Sequence, residues 1–383
     1  MSLYVLKFGG SSVATPTRIK HVSEIVSKLV SEGHRVVVVT SAMQGVTNQL
    51  IDLTKSFSDS SFNREYDAVV SSGEQVAAGL LALSLNSIGL KAKSLNAWQV
   101  PIKITGEFSN ATISDVDEKK LINDINHGII PVITGFQGIS KNGDIKTIGR
   151  GGSDATACAV SKAIDADECL IYTDVDGVYS ADPRIVLSSK RILEVSYGEM
   201  IELATNGAKV LQAKSTLIAK QYEVNLRVLS SFSEGTGTKI TKKTDYVSKH
   251  NIAGIAHDLN LFLLKFSDFI DFKDILEKTR QFEPILLSTD SFLFPKSSKS
   301  ELKSLLNNLD FSFDIDNDIG VVTIVGEGTG KNEFILDNIK SNAENYSLKI
   351  KEISISKISI SVIVPFQQTE LFVNILHKCF FED

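Results

Sequence analysis

Two glycine-rich stretches carry residues that could bind an anion. The first is LKFGGSSVA, residues 6–14, in which Lys7 precedes Gly9 and Gly10 after an apolar run. Glycine lets the backbone approach a ligand with its N–H groups pointing at oxygen anions, and a lysine ammonium suits phosphate. Taken alone, the stretch is more typical of a glycine turn with a solvated lysine. It is not a Walker A motif, because no lysine follows the glycines.

The second stretch, IGRGGSDATA at residues 148–157, places Arg150 before two glycines and then Ser153 and Asp154 at a predicted helix start. An arginine beside a helix N-terminus is a strong anion-binding arrangement, although Ser or Asp at this place could be only a helix cap. Two such stretches in one domain favour an anion site more than either does alone.

Acidic residues follow a further strand, in IYTDVDGVYSADPR at residues 171–184. Ligands bind at the carboxyl ends of strands in open α/β sheets, so this loop is a candidate site. Its Asp-Gly pair is equally typical of an acidic turn, and the EF-hand spacing for calcium is missing. In SSGEQVAAGLLAL, Glu74 could receive an ammonium or simply complement the helix dipole, and alone the second explanation is favoured.

Short β-branched runs alternate with helical patterns up to about residue 240, which predicts a mostly parallel sheet with helices on both faces. Residues 17–30 show apolar positions at helical spacing, and Gly33 is expected to end that helix. The predicted strands are LYVLKF, RVVVVTS, LKAKSLN, IIPVITG, ECLIYTD and NLRVLSS.

Apolar residues become scarce at residues 231–245, which predicts a linker. Two passages beyond it fit a βαββαβ pattern. The first begins with the strands IAGIAH and LFLLKF, and the second begins with VVTIVG. The predicted domains are therefore 1–240, 241–318 and 319–383.

The composition restricts the class of protein. The chain has 383 residues, 43% of them hydrophobic, and a formal net charge of −6, so several globular domains are expected and nucleic acid is not an expected partner. The three cysteines are widely spaced and are expected to be reduced and structural. Because no signal segment and no run of 18 uncharged apolar residues is found, we expect a cytoplasmic protein without a membrane partner.

In order and spacing, the motifs resemble the signature segments of the aspartate kinases in the amino-acid kinase family. The segments that carry the resemblance are KFGGSSVA, SAMQGVTN, SSGE, GFQG with IGRGGSDATA, YTDVDGVYSADPR, and GAKVL with LRVLSSFSEGTGT. The C-terminal passages are similar to paired ACT domains. This resemblance implies a three-layer amino-acid kinase fold over 1–240, two small ferredoxin-like α+β domains, and ATP-dependent phosphorylation of the L-aspartate β-carboxylate.

The resemblance also implies roles for individual residues. Lys7 would be the transition-state lysine and Asp154 would orient it. The phosphate-cradling positions are Gly9, Gly10 and Ser11. The aspartate-binding positions are Thr47, Glu74, Arg150 and Ser153. The nucleotide-binding positions are Thr173, Asp174, Tyr179, Arg184 and Lys209. No protein ligand is expected for magnesium, which would lie between the phosphates of ATP.

Three departures from the family pattern bear on the site: Ser11 replaces the usual threonine, Lys146 replaces a threonine before the glycine-rich loop, and Gln212-Ala213 replaces His-Pro. A homodimer or a higher homo-oligomer is implied, with lysine or threonine as effector at the ACT region. The first ACT passage lacks the glycine turn at which such effectors bind, whereas the second has GEGTGKNE. The alternatives are a glutamate or acetylglutamate kinase, and an amino-acid sensor without turnover.

Overall fold

The computed structural model describes most of the chain, namely residues 1–57, 63–208, 210–242, 250–267, 271–309 and 311–382. These residues form two compact units. The first unit comprises Met1–Val178, Arg191–Ile201 and 210–242. The second unit comprises Tyr179–Lys190, 202–208 and 250–382.

The first unit contains a large sheet and a small one. Its strands are β1 (Leu3–Phe8), β2 (Arg35–Thr40), β3 (Ala92–Leu95), β4 (Ile102–Thr105), β5 (Thr112–Val116), β6 (Ile130–Thr134), β7 (Gln137–Ile139), β8 (Ile145–Thr147), β9 (Glu168–Thr173), β10 (Glu194–Ser196), β11 (Leu226–Ser230) and β12 (Thr238–Thr241).

The large sheet has the strand order β10-β12-β11-β9-β1-β2-β6-β3. Every neighbouring pair is parallel except β11 and β12, so the predicted mostly parallel sheet is confirmed. All six predicted strands are present in it. Strands β1 and β2 are buried along almost their whole length, as expected for a parallel sheet covered on both faces.

The small sheet has the order β5-β4-β7-β8 and was not predicted, because its strands are short and carry polar residues on one face. Strand β12 also departs from the prediction, since it lies inside the predicted linker 231–245. In β12 the side chains of Thr238 and Ile240 are buried and Lys239 is exposed. The run TKIT looks polar in sequence because only alternate residues face the core.

Helices cover both faces of the large sheet. They are α1 (Pro16–Ser31), α2 (Val46–Lys55), α3 (Arg64–Val70), α4 (Ser72–Ser87), α5 (Lys119–Asn126), α6 (Gly152–Ala163), α7 (Tyr197–Thr205) and α8 (Ala213–Tyr222). Helix α1 confirms the predicted one: Thr15 accepts a cap hydrogen bond, and Gly33 follows its end with a φ of 86°.

Alternate residues of β1 face different helices. Leu6 and Phe8 belong to the apolar cluster that contains residues of α1 and α4, whereas Lys7, between them, contacts α6. Because successive side chains of a strand point to opposite faces, α6 covers the other face from α1 and α4. The first unit therefore has three layers.

The described cysteines are free thiols.

The second unit contains two antiparallel sheets. Its strands are β13 (Gly254–Asp258), β14 (Leu261–Phe266), β15 (Ile285–Leu286), β16 (Ser291–Pro295), β17 (Phe313–Asp316), β18 (Gly320–Val325), β19 (Glu352–Ile355) and β20 (Ser359–Val364). Its helices are α9 (Phe272–Lys278), α10 (Lys299–Asn308), α11 (Glu333–Asn345) and α12 (Thr369–Phe381).

The order of elements from β14 to β17 is βαββαβ, as predicted for the first passage, and their sheet has the order β15-β16-β14-β17. The other sheet has the order β13-β18-β20-β19 and corrects one assignment. Strand β13 lies in the first predicted passage but pairs with β18 of the second. In the described residues no strand follows α12, so β13 takes the edge position that such a strand would fill. The boundaries at 240 and 318 stay predictions.

Candidate active site

Lys7 and Asp154 form a buried ion pair. Lys7 lies near the carboxyl end of β1, in the middle of the large sheet, and Asp154 lies in the first turn of α6. The Lys7 ammonium nitrogen is 2.5 Å from Asp154 Oδ1, and each residue is only 8% exposed. Because removing a charge from water costs free energy, each of these groups needs the other nearby. Asp154 therefore holds the Lys7 ammonium at the carboxyl end of the strands, where ligands bind in such sheets.

The loop after β1 is a tight turn. The Gly9 N–H donates to the Tyr172 carbonyl at 3.2 Å, and the Gln44 N–H donates to the Gly10 carbonyl at 3.1 Å. A Cβ on Gly10 would lie 3.0 Å from a backbone carbonyl oxygen of the next loop, which explains the glycine. The expectation that both glycine N–H groups point at an anion is wrong for Gly9, because strand β9 uses that donor. Ser11 follows the turn and is half-buried.

Helix α6 begins after a glycine. Gly151 precedes the helix with a φ of 74°, and a Cβ there would lie 2.7 Å from Ser215 Oγ. The start of α6 has no side-chain cap, so Ser153 and Asp154 are not capping residues. Among the described residues, no backbone acceptor is found for the N–H groups of Ser153 and Asp154. The start of α6 therefore offers donors and a positive dipole end to an anion.

Glu74 is a buried carboxyl group in the first turn of α4, with 3% of the residue exposed. Its Oε1 atom accepts a hydrogen bond from the Ala42 N–H at 3.0 Å. Its Oε2 atom is also buried and has no hydrogen-bond partner among the described residues. Burial raises the pKa of Glu74 to about 7. Since an unpartnered buried carboxylate oxygen is costly, this atom is suited to a positively charged ligand group.

One cavity of about 670 Å³ brings seven of the fourteen predicted site residues together. Those in its wall are Lys7, Gly10, Thr47, Glu74, Arg150, Ser153 and Asp154. Thr47 is half-buried in the first turn of α2, and Arg150 is exposed just before α6. Gly9 and Ser11 are the sequence neighbours of Gly10 but are not part of the cavity wall.

Asp67 on α3 was missed in the sequence. It is fully buried and accepts four hydrogen bonds of 2.8–2.9 Å, from the N–H and hydroxyl groups of Ser109 and Thr147. Thr147 ends β8, a few residues before Arg150, and both Ser109 and Thr147 are in the cavity wall. Asp67 therefore anchors the start of the loop 148–151, which contains Arg150 and is called the arginine loop below. Its only signal was a lone acidic residue beside the apolar run AVV.

Lys214 on α8 was also missed. Its ammonium donates to the Ile148 carbonyl at 2.7 Å and to Asn110 Oδ1 at 3.0 Å, and burial lowers its pKa. Of the departures from the family pattern, one lies in the cavity wall and another lies outside it. Gln212 is in the cavity wall, whereas the Lys146 ammonium donates to the Gly106 carbonyl at 2.6 Å outside that wall.

The described members of the predicted nucleotide set are divided between the two units. Thr173 ends β9 in the first unit and Asp174 follows it, and the Thr173 hydroxyl donates to Asp174 at 3.1 Å. Tyr179 and Arg184 belong to the second unit. Arg184 pairs with Asp182 at 2.6 Å and lowers the pKa of that carboxyl group. The fifth predicted residue, Lys209, lies outside the described residues.

No group of three or more His, Cys, Asp or Glu side chains in the described parts of the chain could hold a metal ion. One stretch, Arg64–Ser87, is long and apolar enough to cross a membrane by length and composition, and half of its apolar part is buried in the protein. This stretch comprises α3 and α4. Ala78, Leu81 and Leu85 of α4 pack in the core of the first unit, as in an ordinary core helix.

The cavity thus combines a buried lysine, a helix N-terminus, an arginine and a buried carboxylate. A lysine and an arginine near free N–H groups can hold two anions together and stabilise charge on a transferring group. The carboxylate of Glu74 can hold an ammonium. These are the requirements of an enzyme that phosphorylates an anionic amine-bearing substrate.

Comparison with known proteins agrees with this chemistry. The amino acid kinase family model matches residues 2–230. An aspartokinase of Rickettsia bellii is 38% identical and covers 97% of this chain and 96% of its own length. An aspartate kinase of Pseudomonas putida is also 38% identical, with 99% and 98% covered. Aspartokinase III of E. coli, solved with aspartate and ADP, has the same fold, with a TM-score of 0.82 at 24% identity over 99% of this chain and 100% of its own. The chain therefore belongs to the amino acid kinase family, among its aspartokinases.

Proposed function

We propose that this chain is an aspartate kinase, which transfers the γ-phosphoryl group of ATP to the β-carboxylate of L-aspartate. The observation that carries the proposal is the cavity in which the buried Lys7–Asp154 pair lies with Arg150 and the unpartnered Oε2 atom of Glu74. The full-length relatives that share 38% of the sequence are named as aspartate kinases.

The substrate's charges match the cavity's charges. The α-ammonium of aspartate would contact Glu74 Oε2, which has no other partner among the described residues. The α-carboxylate would bind Arg150 through the planar guanidinium and Ser153 through its hydroxyl. Thr47 would bind a remaining carboxylate oxygen. Binding of the ammonium stabilises the ionised form of Glu74, so aspartate lowers the pKa of this carboxyl group from its raised value.

The transfer step needs no general base. The β-carboxylate has a reference pKa of about 3.9 and is ionised at neutral pH. A bond forms between a β-carboxylate oxygen and the γ-phosphorus while the bond from that phosphorus to the β-phosphate oxygen breaks. The products are 4-phospho-L-aspartate and ADP. Lys7 stabilises the charge on the transferring group, Asp154 orients Lys7, and the Gly9, Gly10 and Ser11 turn lies beside the phosphates.

Nucleotide binding by Thr173, Asp174, Tyr179, Arg184 and Lys209 stays part of this proposal. Magnesium, when bound, would neutralise charge that develops on the phosphates of ATP. The ion would take its ligands mainly from the nucleotide.

Further expectations belong to the same proposal. They are entry into lysine, diaminopimelate, threonine and methionine synthesis, a cytoplasmic location, a homodimer or larger assembly, and an amino-acid effector at the ACT-like region. E. coli aspartokinase III has been solved with lysine and aspartate in a T-state. In this chain the GEGTGKNE turn is tightly packed, since a Cβ on Gly330 would lie 1.6 Å from the Ser356 carbonyl oxygen.

An assay of acyl phosphate formation tests the function. Purified protein with ATP and magnesium is offered aspartate, glutamate or N-acetylglutamate, and hydroxylamine traps the product as a hydroxamate. We expect hydroxamate with aspartate. N-acetylglutamate has no ammonium to place at Glu74 and is expected to be a poor substrate. No product from aspartate, with product from another acceptor, overturns the proposal, and no product from any acceptor favours the sensor.

A further inference from the structure

A second cavity, of about 710 Å³, lies in the second unit. Its wall consists of one side of α11, the C-terminal half of α12 and the segment 185–188. Its volume is within the range of small-molecule sites in proteins. None of its described wall residues belongs to the turn after β18 or to the segment after β14, where the family resemblance places an amino-acid effector.

Three asparagines lie in the wall of this cavity, and two of them offer it a hydrogen-bond acceptor. Asn338, Asn342 and Asn374 each donate their side-chain N–H group to the carbonyl oxygen four residues earlier in their own helix, at 2.8–2.9 Å. A carbonyl oxygen can only accept, so these bonds identify the amide nitrogen of each asparagine. The Oδ1 atoms of Asn342 and Asn374 are therefore left to other partners, whereas Asn338 Oδ1 already accepts a hydrogen bond from the Cys379 thiol at 3.5 Å. The ends of α11 and α12 add the negative ends of two helix dipoles, which favour a cationic group.

The cavity also has one charged side chain of each sign. Lys378 is exposed on α12, and Glu382 follows the end of that helix. A hydrogen bond from the Ser188 hydroxyl lowers the pKa of Glu382, so its carboxyl group is ionised at neutral pH. Apolar surface comes from Leu187, which is 94% exposed, and from Ile375. A ligand that fits must carry a cation, an anion and a short apolar group.

We propose that this cavity binds a free α-amino acid with an aliphatic side chain. Its ammonium contacts Glu382 and the Oδ1 atoms of Asn342 and Asn374. Its carboxylate contacts Lys378, and its side chain packs on Leu187 and Ile375. One positive and one negative side chain match a zwitterion without leaving a net charge.

A chain of hydrogen bonds connects this cavity with the segment Tyr179–Lys190. Glu382 accepts from Ser188 and lies 3.2 Å from His377 Nδ1 through its Oε1 atom. His377 is fully buried, and its Nε2 atom lies 2.9 Å from Ser180 Oγ, which in turn accepts from the Lys190 N–H at 2.9 Å. An ammonium that takes Glu382 as its partner competes with Ser188 and His377 for this carboxylate.

The same segment contains Tyr179 and Arg184, to which the proposed function gives nucleotide-binding roles. Occupation of the second cavity is therefore expected to change the KM for ATP and to leave the KM for aspartate less affected. This consequence rests on the proposed function, whereas the binding site itself does not.

Calorimetry on the full chain tests the site directly, with L-leucine as the probe. We expect saturable binding with a Kd in the range of about 0.1–5 mM. Two matched compounds each lack one charge: 3-methylbutylamine has no carboxylate and 4-methylpentanoate has no ammonium. Both are expected to bind at least about 10-fold more weakly, since each loses a charged contact. No saturation with L-leucine, or equal binding of either matched compound, overturns the proposal.

Substitutions locate the binding. Lys378→Gln is expected to weaken L-leucine binding by about 10-fold, because a charge-assisted hydrogen bond is lost. Lys340→Gln is the matched control, since Lys340 is an exposed lysine of α11 outside the cavity wall. Asn374→Phe fills the cavity from the surface of α12 and is expected to abolish binding. L-leucine binding unchanged in both Lys378→Gln and Asn374→Phe contradicts the site.

Activity measurements test the coupling separately. In the hydroxamate assay, L-leucine is expected to change the KM for ATP by about 3-fold or more, within the usual range of coupling between sites. Lys378→Gln should remove this effect at the same L-leucine concentration. If L-leucine binds but ATP kinetics do not respond, the coupling is wrong and the site stands. If the chain shows no turnover at all, the proposed function fails while the calorimetric result keeps its meaning.

Discussion

The two cavities have similar volumes, about 670 Å³ in the first unit and about 710 Å³ in the second, but they hold their charges in different ways. Lys7, Glu74 and Asp154 are each at most 8% exposed in the first cavity. In the second, Lys378 is exposed and Glu382 is partly exposed. Buried charges cost free energy that a fold can avoid, so their presence indicates that the first cavity stabilises charge during a reaction. Solvated charges suit a site that binds and releases a ligand.

The first prediction concerns Lys7, for which the largest effect is expected. Lys7→Ala should lower kcat by about 100-fold or more, since removal of one preorganised charged group near the transferring phosphoryl group typically costs that much. The measurement is the rate of hydroxamate formation at saturating aspartate and ATP. Lys20→Ala on the exposed face of α1 is the control and should leave kcat as it is. An unchanged kcat in Lys7→Ala would remove Lys7 from the transfer step.

The second prediction concerns Arg150. Arg150→Lys keeps the charge but loses the planar pair of donors, so the KM for aspartate should rise by about 10-fold while the KM for ATP changes little. Steady-state kinetics with each substrate varied in turn measure both values. Equal increases in the two KM values would show that Arg150 serves the nucleotide instead, or that the whole loop has moved.

The third prediction is a pH dependence set by Glu74, whose pKa is raised to about 7. The ionised form binds the substrate ammonium, so kcat/KM for aspartate should rise about 10-fold per pH unit below 7 and level off above it. Glu74→Gln should have a lower kcat/KM and no such rise. A wild-type profile that is flat between pH 6 and 8 would contradict the assignment.

The same group should affect stability. Because its pKa is near 7 in the folded chain and 4.5 in the reference state, the folded chain binds more protons between these values. The free energy of unfolding therefore falls as pH rises through this window, by about 3 kcal/mol from this group alone. The difference between wild type and Glu74→Gln in urea unfolding isolates the effect, and a difference that does not vary with pH would exclude it.

The fourth prediction concerns Asp67, which holds the arginine loop and touches no proposed substrate. Asp67→Asn turns one acceptor oxygen into a donor facing Ser109 and Thr147, so the free energy of unfolding should fall by about 2 kcal/mol. The KM for aspartate should rise about 5-fold with kcat little changed, since about 1 kcal/mol of loop positioning is lost. Asp52→Asn, on an exposed part of α2, is the matched control. A loss of kcat without a change in KM would contradict a positioning role.

The sequence predicted the local parts of this architecture. Six of the eight strands of the large sheet and helix α1 follow from apolar periodicity. The residues beside paired glycines, Lys7 and Arg150, were selected because glycine and charge are local signals. The structure brings both into one cavity wall.

The contacts that sequence could not predict join distant residues. Asp67 bonds to residues 42 and 80 positions away, and no local pattern indicates which donors meet a buried carboxylate. Strand β13 was predicted as a strand from its sequence. That it pairs with β18 could not be predicted, because the pairing depends on which sheet has an open edge. The burial of Glu74 could not be predicted from the sequence either, because a glutamate in the first turn of a helix is normally solvated.

The fifth prediction has the smallest expected effect and returns to the difference between the cavities. Lys7→Gln leaves the buried Asp154 carboxylate without its ion-pair partner, whereas Lys378→Gln removes an exposed charge. The first substitution should lower the thermal unfolding temperature by several degrees, and the second should change it by about 1 °C or less. Paired calorimetric scans at the same pH and salt measure both shifts. A large change in the unfolding temperature of Lys378→Gln would show that the Lys378 charge also contributes strongly to stability. Burial would then no longer distinguish the cavity proposed for the reaction from the cavity proposed to bind and release a ligand.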